Sequence, residues 1–283
     1  MFNKRLPSFI LFSFLLVFFI SLGVQAANIN PNDIFSDLFS QEKKEEFHKT
    51  LPLKASGTFS LENVNGSITI NTWKEDKVEI KAVKTTKGDP ENLKKVEIEI
   101  ESSPDRVFVD TVYPKIRNLR VSVKYEVKVP EGANIGKVKS VNGSVYMSGP
   151  LGNVRASTTN GKVELEGASG DVRLSTTNGS IDASHVSGGL EAETTNGSID
   201  LDIVSLEDEV KAETVNGGIT LRLGSSGKID ADLTAKTVNG TIYLDVPVTF
   251  KTIQKSKHSL EGKIGQGGTQ VYLKTVNGSI RIK

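Results

Sequence analysis

The chain has 283 residues, 37% hydrophobic and 24% charged, which is apolar enough for one large or two small globular units and argues against wholesale disorder. It has no cysteine, which excludes a disulfide scaffold, a thiolate zinc site, an iron–sulfur cluster, a cysteine nucleophile and a lipid-modified N-terminal cysteine. Lys and Arg number 35 against 34 Asp and Glu; without the first 26 residues, which hold Lys4 and Arg5 and no acid, the balance is 33 against 34, so the basic excess of a nucleic-acid binder is missing.

Met1–Arg5 is a short basic region, and Leu6 to Gly23 is almost wholly apolar. Val24-Gln25-Ala26 puts small residues at the −3 and −1 positions of a cleavage site, so residues 1–26 read as a secretory signal peptide. An apolar run of about 18 residues is also just long enough to span a bilayer, which leaves an uncleaved anchor as the alternative. The polar Asn28-Ile29-Asn30-Pro31-Asn32 that follows favours cleavage, and no later segment is apolar enough to span. The expectation is an exported protein in the periplasm, at the cell surface or outside the cell, with no integral membrane segment after cleavage.

Residues 27–50 form a polar lead-in, either flexible or a short amphipathic helix, with Phe35, Leu38 and Phe39 at helical spacing. Residues 51–130 are β-rich and irregular. Lys77–Val83, Val96–Ile100, Arg106–Asp110 and Leu119–Val129 alternate apolar and polar residues. Pro90–Lys95 suits a single helical turn, with Asp89 as N-cap and Pro90 at the first helical position. The bulky Trp73, Phe108, Tyr113 and Tyr125 lie in this part, as expected of a cap over the end of a repeat structure.

Residues 131–283 carry a repeat. Asn-Gly recurs at Asn142, Asn160, Asn178 and Asn196 with a spacing of 18, then at Asn216, Asn239 and Asn277 with spacings of 20, 23 and 38; an early copy stands at Asn65. Six residues before each Asn stand Val154, Val172, Leu190, Val210, Leu233 and Val271, and two before stand Thr158, Thr176, Thr194, Thr214, Thr237 and Thr275. Three after stand Val145, Val163, Ile181, Ile199, Ile219, Ile242 and Ile280. The positions between are polar, so strands with one buried face flank every turn.

Asn-Gly suits a turn because both residues tolerate positive φ. Two folds use such a pattern. In antiparallel hairpins the dipeptide is a two-residue turn, giving a β-meander or sandwich. In a parallel β-solenoid it is a corner, with like residues of successive coils stacked about 4.8 Å apart. Columns of like residues favour the solenoid: an all-β, right-handed, β-helix-like repeat over 131–283 with a less regular β cap at its N-terminal end. The corner ladder is then Asn142-Gly143, Asn160-Gly161, Asn178-Gly179, Asn196-Gly197, Asn216-Gly217, Asn239-Gly240 and Asn277-Gly278, its amides bonded to one another. The inward threonine hydroxyls need partners, because an unpaired buried hydroxyl costs roughly 1–3 kcal/mol; turn backbone is the expected acceptor. Residues 251–268, rich in Lys, Gly and Ser, read as a loop.

Taken together, Glu45–Leu53, Val64–Trp73, Val78–Lys84, Tyr125–Pro130 and the Thr-Thr-Asn-Gly-Ser-Ile repeats at 176–181 and 194–199 resemble the bacterial "putative adhesin" domain family of unknown function, over roughly residues 45–283. That resemblance implies a right-handed β-solenoid-like fold at the cell envelope, in a family with no catalytic motif to carry over.

The residues themselves offer little chemistry. His48, His185 and His258 lie on no metal-ligand spacing, and Gly265-Gln266-Gly267-Gly268 precedes a strand rather than a helix, so it is no phosphate loop. The outward column four residues after each Asn holds Glu164, Asp182 and Asp200, about 5 Å apart if the coils stack, near the separation used by retaining glycosidases. A solvated face balanced by Arg155, Arg173 and Lys211 is the plainer reading. The column one residue before each Asn holds Thr159, Thr177 and Thr195, then Val215, Val238 and Val276, a flat row suited to a regular surface such as a glycan. The expectation is a non-enzymatic, adhesin-like binding or structural protein with no cofactor or metal, whose partner is an envelope or extracellular protein or glycan and not nucleic acid. A periplasmic accessory to envelope-stress sensing is the alternative, ahead of a polysaccharide-active enzyme.

Overall fold

A computed structural model describes residues 42–224, 230–246 and 256–283 of the chain. The signal peptide and most of the lead-in expected above lie outside the described residues, as does Lys251–Lys255 of the expected loop. Alternation becomes strand because period 2 puts every apolar side chain on one face, where a second sheet can cover it. The N-terminal part holds β1 (Lys43–Pro52), β2 (Thr58–Glu62), β3 (Ile68–Trp73), β4 (Lys77–Thr86), a one-turn helix α1 (Glu91–Lys94), β5 (Glu97–Ser103), β6 (Arg106–Val112) and β7 (Val121–Pro130). The repeat part runs through β8 (Asn134–Lys139), β9 (Val145–Leu151), β10 (Val154–Asn160), β11 (Val163–Ala168), β12 (Val172–Asn178), β13 (Ile181–Ser187), β14 (Leu190–Asn196), β15 (Ile199–Ser205), β16 (Val210–Asn216) and β17 (Ile219–Leu223). It ends with β18 (Ala231–Asn239), β19 (Ile242–Leu244), β20 (Ser259–Ile264), β21 (Thr269–Asn277) and β22 (Ile280–Ile282).

These strands form two sheets. Sheet A has the order β1-β4-β7-β3-β9-β11-β13-β15-β17-β22-β19, and sheet B the order β20-β18-β21-β16-β14-β12-β10-β8-β2-β6-β5. The strands on either side of each Asn-Gly belong to different sheets: β10 before Asn160-Gly161 is in sheet B and β11 after it is in sheet A. That excludes the hairpin reading and makes the dipeptide a corner. Successive coils pair in parallel and in register, Asn160 opposite Asn178 and Asn178 opposite Asn196. Only β1–β4, β4–β7, β5–β6 and β18–β20 are antiparallel among the described strands.

The core lies between the sheets. Val163, Ile181, Ile199, Ile219 and Ile280 stack as one buried column, and Val154, Val172, Leu190, Val210, Leu233 and Val271 as another. Each such side chain contributes about 1.5–3 kcal/mol by leaving water. The cap closes one end of this stack. Phe59 and Tyr125 are fully buried there, and the Tyr125 hydroxyl meets Thr111 Oγ1 at 2.8 Å.

Four details depart from the sequence reading. Residues 43–50, grouped with the lead-in, form most of β1, an edge strand paired along its length with β4. The expected loop at 251–268 contains strand β20. At α1 the cap position is Pro90, while Asp89 Oδ1 accepts the Glu91 N–H at 3.0 Å. Finally, the last coils are out of order: β21 lies between β16 and β18, so the coil bearing Asn277 stacks between those bearing Asn216 and Asn239.

Candidate functional site

The corner is built first from glycine and asparagine. Each Asn Nδ2 donates to the Asn Oδ1 of the neighbouring coil: Asn142 to Asn65, Asn160 to Asn142, Asn178 to Asn160 and Asn196 to Asn178, at 2.8–2.9 Å. Asn216 donates to Asn196, Asn277 to Asn216 and Asn239 to Asn277, each at 2.8 Å. The amides therefore form one continuous file with a single polarity. The glycines are required for a reason other than the positive φ expected above. Of the eight Asn-Gly glycines only Gly66 has a positive φ, of 115°. At Gly161, Gly179, Gly197, Gly217, Gly240 and Gly278 an added Cβ would instead fall inside the carbonyl oxygen of the glycine stacked beneath it. Those same carbonyls accept from the inward threonines, Thr158 to Gly143 O at 2.8 Å and Thr176 to Gly161 O and Thr194 to Gly179 O at 3.0 Å. Among the described residues no buried side-chain nitrogen or oxygen lacks a partner.

The acidic column is placed on the outer face of sheet A, Glu164 opposite Asp182 and Asp182 opposite Asp200 on β11, β13 and β15. Its counter-charges are not Arg155, Arg173 and Lys211, which sit on sheet B in β10, β12 and β16. They are Lys162, which bridges Asp182 and Glu164 (2.8 Å to Glu164), and Arg222, which pairs with Asp200. Hydrogen bonds to Asp182 and then Glu164 push the Lys162 ammonium well above the ordinary lysine range. All three carboxylates of the column are thus engaged by a neighbouring cation. Lys162 and Arg222 were legible as positions two and six after Asn160 and Asn216, but nothing in the sequence marked them as partners. Tyr146, exposed beside Glu164 in the register, stands four residues after Asn142 and belongs to the same column.

On sheet B the charges neutralise one another. Lys211 Nζ reaches Glu193 at 2.7 Å, Glu191 at 3.1 Å and Glu213 at 3.2 Å, and Arg173 reaches Glu191 at 3.4 Å. Hydrogen bonds to Glu193 and Glu191 raise the Lys211 pKa. Between this charged band and the corner runs the row one residue before each Asn. In spatial order it is Thr159, Thr177, Thr195, Val215, Val276, Val238, and it faces outward, with Val215 41% and Val238 62% exposed. A shallow open cleft follows the row, lined by Ser175, Thr195, Glu213, Val215, Lys274 and Val276.

In the cap, Glu79 takes His48 Nε2 at 3.1 Å, Lys128 at 3.3 Å and Lys81 at 3.5 Å. Partial burial pushes its pKa up, but the hydrogen bonds from Lys128 and His48 outweigh this and hold it below the usual value. The ring of Trp73, the single tryptophan, has the Lys77 and Lys128 ammonium groups at 5.5 and 5.2 Å from its centre. His185 sits in a bulge of β13 with a φ of 54°, and His258 is exposed in a turn. Among the described residues no group of three or more His, Asp or Glu is arranged to hold a metal ion.

The Toastrack DUF4097 model matches residues 21–283 of the chain. The chain belongs to the Toastrack DUF4097 family. The Toastrack fold is β-solenoid-like, and the domain is one of unknown function. Among solved structures the chain is similar to a Bacteroides fragilis protein described as a "putative adhesin", at 12% identity over 84% of this chain and 97% of that one, with a TM-score of 0.46. It is similar to a Parabacteroides distasonis "putative lipid binding protein", at 14% identity over 86% and 96%, TM-score 0.46. It is also similar to a Clostridium sporogenes "putative cell adhesion protein", at 16% identity over 85% and 99%, TM-score 0.33. A search of the curated proteins finds no match. No helix among the described residues is long and apolar enough to cross a membrane.

Proposed function

We propose that this protein is an exported, non-enzymatic component of the cell envelope or cell surface, a rigid β-solenoid that presents an adhesin-like binding face to an envelope or extracellular protein or glycan. The observation that carries this reading is the division of labour among the columns. Corner amides, inward hydroxyls and most of the charged bands bond within the protein. The outward row of Thr159, Thr177, Thr195, Val215, Val276 and Val238 is left as a flat strip of methyl groups and hydroxyls beside an open cleft. Such a strip suits an extended partner, because every coil repeats the same chemistry at the same spacing. The sequence supports export through the basic, apolar and small-residue segments of positions 1–26.

The test has two stages. Protease added to intact cells, with fractionation alongside, is expected to remove the protein. Protection until the envelope is opened would overturn surface display and leave a periplasmic accessory role. Purified protein is then screened for binding to cells, glycans and envelope proteins, with Thr195→Lys and Val215→Lys as probes of the strip. Loss of binding with unchanged thermal stability is expected; retained binding in both variants would move the site elsewhere.

A further inference from the structure

The last coil of the chain lies inside the stack. Residues 259–283 form a clasp around β18: β20 pairs with it antiparallel on one side and β21 parallel on the other. The two arms are joined by Gly265-Gln266-Gly267-Gly268, whose three glycines all have positive φ, of 59°, 77° and 148°. This strap is tied down by carboxylates of and beside β18: Gln266 N–H donates to Asp230 Oδ1 at 2.7 Å and Gly268 N–H to Asp232 Oδ2 at 3.3 Å, while Lys263 pairs with Asp232 at 3.0 Å.

The slot that β21–β22 fills has matching walls. β21 pairs Val210 with Val271 and Asn216 with Asn277 on one side, and Leu233 with Val271 and Asn239 with Asn277 on the other. Without the clasp the two walls would present the same columns to each other, Val210 against Leu233, Thr214 against Thr237 and Asn216 against Asn239. The coil of β18–β19 would close directly onto β16–β17. The connection that skips the inserted coil is longer than its equivalents: residues 224–230, seven in all, against two to four at 152–153, 169–171, 188–189 and 206–209. The clasp is joined to the body only through residues 245–258, a 14-residue connection able to reach about 45 Å when extended. Any clasp of this sequence therefore fits any slot of this sequence.

We infer that the C-terminal clasp is exchangeable between molecules, so that residues 259–283 of one copy embrace β18 of a second copy, with β21–β22 in the slot beside β16 and β17, and link two solenoids. Exchange makes no new type of contact; every pairing in the linked form is one the single molecule already makes, which is the condition under which swapping is cheap. The partner is a second copy of this chain.

The absence of native cysteine makes the test direct, since every disulfide must come from introduced residues. Glu213 of β16 and Lys274 of β21 are opposite each other in the register and face outward. Full-length Glu213→Cys and Lys274→Cys chains with different tags are mixed, unfolded and refolded together, then oxidised. If the clasp exchanges, covalent heterodimers of the two tags form about tenfold above a control pair, because exchange converts a chance encounter into a held contact. The control is Ser157→Cys mixed with Ser175→Cys, equivalent opposite positions on β10 and β12 that belong to no clasp. A chain carrying both Glu213→Cys and Lys274→Cys, oxidised as a folded monomer, should no longer exchange. Heterodimer no greater than the control overturns the inference. So does cross-linking of like with like alone, which reports surface contact. Thr220→Cys with Arg281→Cys, opposite each other on β17 and β22, repeats the test on the other sheet should the first pair fold poorly.

Discussion

The cap and the solenoid solve the same problem, how to bury one face of a sheet, in different ways. In the cap each contact is made once. Tyr125 bonds Thr111, Asn63 Nδ2 donates to Val123 O at 2.8 Å, and the nearly buried Lys84 pairs with Glu45 at 2.8 Å. In the solenoid each contact is made in every coil: an amide to an amide, a threonine to a glycine carbonyl, isoleucine on isoleucine. A unique contact fixes one neighbour; a repeated contact fixes a spacing and leaves the identity of the neighbour open. The inserted last coil is the visible result of that freedom.

Substitutions can break or sharpen this contrast. The largest effect is expected from Ile199→Asp, which places an unpaired carboxylate in the middle of a buried column and should cost about 4 kcal/mol or more, read by denaturant unfolding. Glycine to alanine at the corner should cost about 1–3 kcal/mol through overlap with the glycine below. Gly161→Ala and Gly197→Ala should cost nearly the same; a large difference between them would show that the coils are not equivalent. In the cap, Tyr125→Phe should cost about 1 kcal/mol by removing one buried hydrogen bond, with Thr111 still bonded to Glu62 O.

Smaller still is His185→Gly, which should raise stability by about 0.5–1 kcal/mol. The stacked bulge residues Gly149 and Gly167 are already glycine with positive φ, and His185 alone bears a side chain there. A fall in melting temperature would mean that the imidazole makes a contact worth more than the strain. The last is a pH effect in the cap. Burial pushes the Tyr113 hydroxyl from 10.0 up to about 12. Its contribution is therefore complete below pH 10 and is lost as the pH rises towards 12. Tyr113→Phe should flatten the alkaline decline of the melting temperature over that window.

Much of this was legible in the sequence, and the columns explain why. A period of 18 with fixed apolar and polar positions leaves few ways to fold, and the amide file follows once the asparagines stack. The order of the last coils was not legible, because Asn216, Asn239 and Asn277 sit in identical local patterns and any stacking order satisfies them. Only the long connections before β18 and β20 mark the difference. Strand β1 was missed because it is an edge: Lys43, Lys44, Lys49 and Glu46 are exposed, as a strand that must resist further pairing tends to be, and such a composition reads as coil. The reason for the corner glycines was not legible, since turn geometry is a local property and the carbonyl that excludes a Cβ belongs to the neighbouring coil, 18 or more residues away in the chain. Among the outward residues, the sequence showed which side chains share a column but not which cations neutralise them.

The amide file has one further consequence. Because each corner asks only for an Asn-Gly above and an Asn-Gly below, the coil is a unit of length. A gene that gains or loses one 18-residue segment changes the height of the rod by a single step of about 4.8 Å and disturbs neither the cap nor the clasp. Reach can thus be adjusted in whole increments by duplication and deletion, on a scale set by the separation of two hydrogen-bonded strands.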